Sequence, residues 1–238
     1  MSERIPHHCR ECLLAAQFAD PARECPGSPD CKAELRRVVM QSLSAMTPEV
    51  RRTKSALVVK HLKAFEPFKR AETVMAYVAL ELEVDPWLLV HEAWALGKRV
   101  AMPRIHPPLD CPRVPSVHNR RLRACELRPE DVEDPQDHSQ LSADVMGILE
   151  PPQEAAVIAA EEIDLVLVPC TAYDRRGCRL GKGGGFYDRF LSHSDFHGTA
   201  VGLAFSEQVF ATLPVCPHDR EVQFLATERG IVETRNGR

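Results

Sequence analysis

The chain has 238 residues, of which 44% are hydrophobic, and its 30 basic and 34 acidic side chains leave a formal net charge of −4. This is ordinary globular composition for one α/β domain with or without an appendage, and the mild acidity argues against a nucleic-acid footprint over a whole domain. No apolar run approaches the roughly 20 residues of a membrane span, and the polar start MSERIPHHCREC lacks the apolar centre of a signal peptide. A cytoplasmic protein is therefore expected, its nine cysteines serving as thiols or metal ligands rather than disulfides.

The first 31 residues hold Cys9, Cys12, Cys25 and Cys31 among several prolines and read as a loop-rich extension, with the main domain spanning residues 32–238. From Lys32, KAELRRVVMQSLSAM spaces Leu35, Val38, Val39, Met40, Leu43 and Met46 as a helix. Thr47 then caps a second helix that has Pro48 in its first turn and runs to about Phe65. TVMAYVAL (73–80) reads as a strand. A helix follows, with Asp85 as cap, Pro86 in the first turn and Gly97 as stop, and RVAMPRI (99–105) is the next strand. This alternation predicts βαβ units and a mostly parallel sheet flanked by helices, a three-layer α/β sandwich.

Residues 106–120 are proline-rich, 120–127 read as a strand, and 128–145 as an exposed acidic loop. IDLVLVP (163–169) is the strongest strand signal, continuous enough for burial on both faces. GFYDRFLSH reads as a helix with Phe186, Phe190 and Leu191 inward, TAVGLAF (199–205) as a strand, SEQVFATL as a short helix and QFLATERGIVET as the last strand or strands.

Between the strongest strand and the helix after it lies RLGKGGGFYD (179–188), with four glycines and a lysine in ten residues. It is no P-loop. Only three residues separate Gly177 from Gly181, and Gly183 stands where that motif needs a hydroxyl. A glycine-rich segment that leaves a parallel strand and enters a helix can still converge backbone N–H groups on an anion, with Arg179 and Lys182 adding charge. Asp188 reads either as a first-turn carboxylate offsetting the helix dipole or as the hard oxygen ligand that the absent hydroxyl would have supplied to magnesium.

The stretch DLVLVPCTAYDRRGCRLGKGGGFYDRFL (164–191) resembles the signature of 5-formyltetrahydrofolate cyclo-ligases: an apolar strand ending in proline, an aromatic–Asp pair, then R-L-G-x-G-x-G-[FY]-Y-D. The resemblance extends over about residues 32–230. KAELR resembles the family's N-terminal K-x-x-L-R, ELEVD (81–85) its acidic segment after the first strand, PHDREV (217–222) its C-terminal stretch, and MPRI (102–105) and GILEP (147–151) are further landmarks. It implies an ATP site of Lys32, Arg36, Arg179, Leu180, Gly181, Lys182, Gly183, Gly184, Gly185, Phe186 and Tyr187. The implied folate site is Val78, Glu83, Lys182, Gly183, Gly184, Gly185 and Phe186. Lys182 and Arg179 are implied in catalysis, with Asp188 and Asp219 holding Mg²⁺.

The implied reaction converts 5-formyltetrahydrofolate to 5,10-methenyltetrahydrofolate with consumption of ATP. A formamide carbon is a poor electrophile, so the formyl oxygen first attacks the γ-phosphate; nitrogen 10 then attacks the activated carbon and phosphate departs. Such chemistry rests on positioning and charge neutralisation. Small-molecule substrates and a monomer, with no membrane or nucleic-acid partner, complete the expectation. A non-catalytic folate- or nucleotide-binding or RNA-associated module on the same fold is the alternative, against which Glu83, Lys182, Asp188 and Asp219 all stand in place.

The N-terminal cysteines have no counterpart in that resemblance. Their pattern C-x2-C-x12-C-x5-C reads as a zinc site of Cys9, Cys12, Cys25 and Cys31, beside the other readings of a thiol-bearing disordered tail or an iron–sulfur cluster.

Overall fold

The computed structural model describes residues 29–106, 120–132, 141–143, 149–214 and 218–234. Helix α1 (Pro29–Ser44) buries Leu35, Val39 and Leu43, three side chains at successive intervals of four. Helix α2 (Pro48–Ala64) starts as expected: the Thr47 hydroxyl accepts from the Val50 N–H and Pro48 opens the first turn. Two shorter helices follow, α3 (Glu66–Arg70) and α4 (Trp87–Ala95). The Asp85 carboxylate accepts from the Trp87 N–H at 2.9 Å at the start of α4, and Gly97 adopts φ 72° just after its end.

The strands of the main sheet are β1 (Thr73–Met75), β2 (Arg99–His106) and β3 (Arg121–Glu126). After a two-stranded ribbon of β4 (Ser142–Ala143) and β5 (Leu149–Glu150) come β6 (Val157–Ile158) and β7 (Leu165–Val168). A second small sheet is formed by β8 (Ala172–Asp174), β9 (Arg179–Leu180) and β11 (Val209–Phe210), with helix α5 (Phe186–Leu191) and strand β10 (Thr199–Leu203) between the last two. The chain closes on the hairpin β12 (Phe224–Thr227) and β13 (Gly230–Glu233).

The main sheet has the order β13-β12-β10-β7-β1-β2-β3-β6. Its five central strands, β12 to β2, are parallel, and the strands outside them pair antiparallel. Every residue of β7 is fully buried, so the unbroken run LVLV feeds a hydrophobic cluster on each face. Leu165 and Leu167 pack with α1, α2 and α4, whereas Val166 and Val168 pack with Phe190 of α5, Ile163 and Tyr173. Pro103 is tolerated within β2 because β1 pairs with that strand only as far as Ala101.

Two sequence landmarks distant along the chain meet here. Arg104 and Glu150 are both buried; Arg104 Nε lies 3.5 Å from Glu150 Oε2 and its guanidinium also donates to the Pro151 carbonyl, while the Ile105 N–H donates to Glu150 Oε1 at 2.7 Å.

Three segments depart from expectation. The run 73–80 leaves the sheet after Met75, because Tyr77 turns inward and donates its hydroxyl to the Val84 carbonyl at 2.7 Å, folding the chain across the strand ends. SEQVFATL is a single 3₁₀ turn and then β11, not a helix. Gln208, almost fully buried, accepts from the Phe205 N–H and donates to the Cys170 and Thr171 carbonyls, which ties the turn down and directs Val209 into a strand. Within 128–145, Val132 and Leu141 are buried and Ser142–Ala143 form β4, so the described part of that segment is not simply an exposed loop.

The turn between β8 and β9 is organised by Asp174, whose side chain is fully buried. Its carboxylate accepts from the N–H groups of Arg176, Cys178 and Leu213 at 2.9, 3.0 and 3.1 Å and pairs with the Arg176 guanidinium. Gly177 takes φ 90° beside it, where a Cβ would lie 2.3 Å from the Val222 carbonyl. Asp174→Ala is expected to destabilise the fold by about 3 kcal/mol, since it leaves several buried donors unpaired. Urea unfolding would show this as a lowered midpoint; an unchanged midpoint would contradict the role.

Candidate active site

The chain leaves β7 at its carboxyl end, makes the β8–β9 hairpin and reaches the glycine loop 181–185, which runs into α5. Ligands of open parallel sheets bind beyond this end of the strands. Gly185, with φ 62°, makes the left-handed turn that starts the helix.

Arg179 in β9 is the buried charge of the site, its side chain only 4% exposed. Its Nη2 donates to Asp188 Oδ1 at 2.6 Å, and its guanidinium lies over the Tyr187 ring with 5.7 Å to the ring centre. Asp188 Oδ1 also accepts from the Arg220 N–H at 3.1 Å, which draws the segment 218–222 onto α5. Arg220 Nε then donates to Ser192 Oγ at 2.7 Å and Ser192 Oγ to the Asp188 carbonyl at 2.6 Å.

Two further ion pairs surround the loop. Lys182 Nζ lies 2.9 Å from Glu83 Oε1. Glu83 is held in place by the tight turn after β1: its Oε2 accepts from the Leu80 N–H at 3.0 Å and its own N–H donates to the Leu80 carbonyl at 2.9 Å. Lys32 Nζ lies 3.0 Å from Asp219 Oδ2. One helical turn along α1, Arg36 donates from Nε to the Gly181 carbonyl at 2.8 Å. Burial lowers the pKa of the Arg36 guanidinium from its ordinary value. Burial, followed by the nearby Glu83 carboxylate, pushes the Tyr187 phenol well above its ordinary value.

The structure thus links Lys32, Arg36, Glu83, Arg179, Gly181, Lys182, Asp188 and Asp219 in one network, although they come from four separated stretches of chain. Asp188 and Asp219 also line one cleft of about 690 Å³, together with Gly185, Arg189, Arg121 and His193. Phe186 lies against the Arg189 guanidinium, 5.0 Å from its ring centre. Val78 packs at the edge of the main core, and Leu180 is itself a core side chain. Gly183 and Lys182 are exposed at the tip of the loop, and Gly184 is partly so.

Cys9, Cys12 and Cys25 lie outside the described residues. Cys31 is buried in α1. Among the described residues no three His, Cys, Asp or Glu side chains gather as a metal cluster. Sequence reasoning passed over Arg220, Arg189 and the Tyr187 hydroxyl. Arg220 works through its backbone N–H, and Arg189 through a stack and a bond from Nη2 to the Arg120 carbonyl at 3.0 Å, neither of which has a sequence pattern.

In chemical terms the site is a set of cations already matched to carboxylates. An incoming polyphosphate can take over Lys32 and Lys182, and in doing so release Asp219 and Glu83 for a hard cation or a polar substrate.

The two kinds of pair should respond differently to mutation. Asp188→Asn leaves the buried Arg179 guanidinium without its counter-charge and is expected to cost about 3 kcal/mol of stability. Lys182→Ala removes a lysine that is 51% exposed and is expected to cost under about 1 kcal/mol. Paired chemical denaturation of the two variants checks this; equal losses would contradict the division.

The family model for the 5-formyltetrahydrofolate cyclo-ligase family matches residues 29–228. The chain is 31% identical over 212 residues to the 5-formyltetrahydrofolate cyclo-ligase of Mycolicibacterium smegmatis, covering 87% of this chain and 100% of that one. It is 29% identical over 180 residues to that of Escherichia coli strain K12, covering 75% of this chain and 90% of the relative. The solved 5,10-methenyltetrahydrofolate synthetase of Aquifex aeolicus superposes with a TM-score of 0.67 at 32% identity, over 87% of this chain and 94% of that one. With the glycine loop, its lysine and the paired carboxylates arranged as described, the chain belongs to the 5-formyltetrahydrofolate cyclo-ligase family.

Proposed function

We propose that this protein is an enzyme that cyclises 5-formyltetrahydrofolate to 5,10-methenyltetrahydrofolate at the expense of ATP, releasing ADP and phosphate. The observation that carries the reading is the convergence of Lys32, Arg36, Arg179 and Lys182 on one glycine loop whose neighbouring acids are Asp188 at its own end and Glu83 and Asp219 from two other stretches.

In this reading α1 and the loop hold the triphosphate. Lys182 turns from Glu83 to the γ-phosphate, and Glu83, fixed by the Leu80–Glu83 turn, is left to bind the folate beside Val78. Arg179 keeps its place beneath the loop and orients the transferring phosphate, while Phe186 and Tyr187 exclude water from it. The formyl oxygen attacks the γ-phosphorus as the bond to ADP breaks; nitrogen 10 then attacks the formyl carbon, loses its proton, and the carbon–oxygen bond breaks to release phosphate.

Asp188 and Asp219 are the residues that would hold Mg²⁺. Both line the same cleft, Asp188 Oδ2 makes no hydrogen bond among the described residues, and one or two carboxylates with phosphate oxygens are a donor set that magnesium accepts. Bound there, the ion supplies positive charge to the phosphate oxygens.

The same reading takes the molecule as a cytoplasmic monomer built as a three-layer sandwich, with α5 as the reduced second helical layer, and its catalytic unit as residues 32–238. Among the described residues no helix is long and apolar enough to cross a membrane. The extension 1–31 is proposed to hold zinc through Cys9, Cys12, Cys25 and Cys31, a reading supported by thiol spacing alone.

Incubating the purified chain with ATP, magnesium and 5-formyltetrahydrofolate should generate the absorbance of the methenyl product, and omission of ATP should abolish it. Lys182→Ala is expected to lower kcat/KM by about 100-fold, the scale of one lost charge-stabilising donor. Binding of both ligands with no methenyl product would favour a non-catalytic binding module instead.

A further inference from the structure

Three tyrosines meet around the loop and β8, and their hydroxyls differ. Tyr77 donates to the Val84 carbonyl at 2.7 Å and Tyr173 to the Val168 carbonyl at 2.9 Å, so both have the partner that a buried polar group requires. The Tyr187 hydroxyl is also enclosed and has no hydrogen-bond partner among the described residues. Arg179 Nη1 is a second buried group of this kind, although Nη2 of the same guanidinium is satisfied by Asp188.

The two side chains that carry them are neighbours: the Arg179 guanidinium carbon lies over the Tyr187 ring, 5.7 Å from its centre. A buried donor left unpaired carries a desolvation cost that no bond offsets. Glu83, the acid whose charge the phenol feels, is already engaged by Lys182 and the Leu80 N–H. A structural stack of Tyr187 on Arg179 accounts for the ring but not for the hydroxyl. Phenylalanine would fill that place without an unpaired group.

We propose that the Tyr187 hydroxyl and Arg179 Nη1 form a donor pair for a single acceptor oxygen of the bound substrates, the one that comes to bridge the formyl carbon and the phosphorus. The inference rests on the cyclisation reading above. Tyr187 is then a catalytic residue in the strict sense of touching the reacting atoms. Donors fixed in a buried site act most strongly on an oxygen that gains charge in the transition state.

Tyr187→Phe keeps the ring and removes only the hydroxyl. Three measurements on the full chain decide the matter: melting of the ligand-free protein, calorimetric binding of magnesium–ATP and of 5-formyltetrahydrofolate separately, and kcat with KM. The expected result is a ligand-free melting temperature equal to or above wild type, with kcat/KM lower by about 100-fold. Weaker binding in the nucleotide arm alone would place the acceptor oxygen on the terminal phosphate in the ground state. Weaker binding in the folate arm alone would place it on the formyl group. A variant that turns over like wild type overturns the proposal, as does one whose ligand-free melting temperature drops with activity falling only in step with the folded fraction. If wild type itself forms no methenyl product, the cyclisation reading fails, and the donor pair is then judged by the two binding arms alone.

Discussion

A guanidinium that is 96% removed from solvent cannot be left without a counter-charge, and the site is built around answering Arg179. Asp188 supplies the answer across the whole glycine loop, so the loop's two ends are tied together by one 2.6 Å bond. The same carboxylate oxygen takes the Arg220 N–H, which brings Asp219 within reach of Lys32 at the start of α1. Remove this one charge and three elements that share no sequence proximity lose their common anchor.

Around that anchor the remaining charges are balanced in pairs: Lys182 with Glu83 and Lys32 with Asp219. Pairing spares the site the mutual repulsion of Lys32, Lys182 and Arg179. It also means that, in the proposed reading, phosphate binding is an exchange rather than a simple addition. Each lysine that turns to a phosphate oxygen frees a carboxylate, and the carboxylates freed are those that the proposed chemistry needs for the folate and for the cation. The exchange is easy at the loop tip, where Lys182 is half in water, and costly at Arg179, which is why one is read as a moving contact and the other as a fixed one.

Much of this was legible in the sequence, for physical reasons. A short, continuous apolar run rich in β-branched residues such as LVLV, closed by a proline, reads as a strand buried on both faces, and it is one. Thr47-Pro48 and Asp85-Pro86 announce helix starts because capping and proline chemistry are local. Lys32 and Arg36 stand one helical turn apart, a spacing that puts both on one face of α1, where Lys32 meets Asp219 and Arg36 meets the Gly181 carbonyl. What escaped was set by tertiary contact. Tyr77 ends β1 early by finding a carbonyl seven residues ahead, and Gln208 replaces an expected helix with a turn by bonding to the far side of the β7–β8 link. Likewise a lone tyrosine in a motif says nothing of whether its hydroxyl will be satisfied. Only the packing around Tyr77, Tyr173 and Tyr187 separates the third from the other two.

The central claim is that this site activates the formyl oxygen by joining it to the γ-phosphorus. Carrying out the reaction with 5-formyltetrahydrofolate labelled with ¹⁸O in the formyl group, and recovering the phosphate, tests it most directly. The account predicts one ¹⁸O atom in each inorganic phosphate released and none in ADP. Unlabelled phosphate, with the label in water or formate instead, would contradict it.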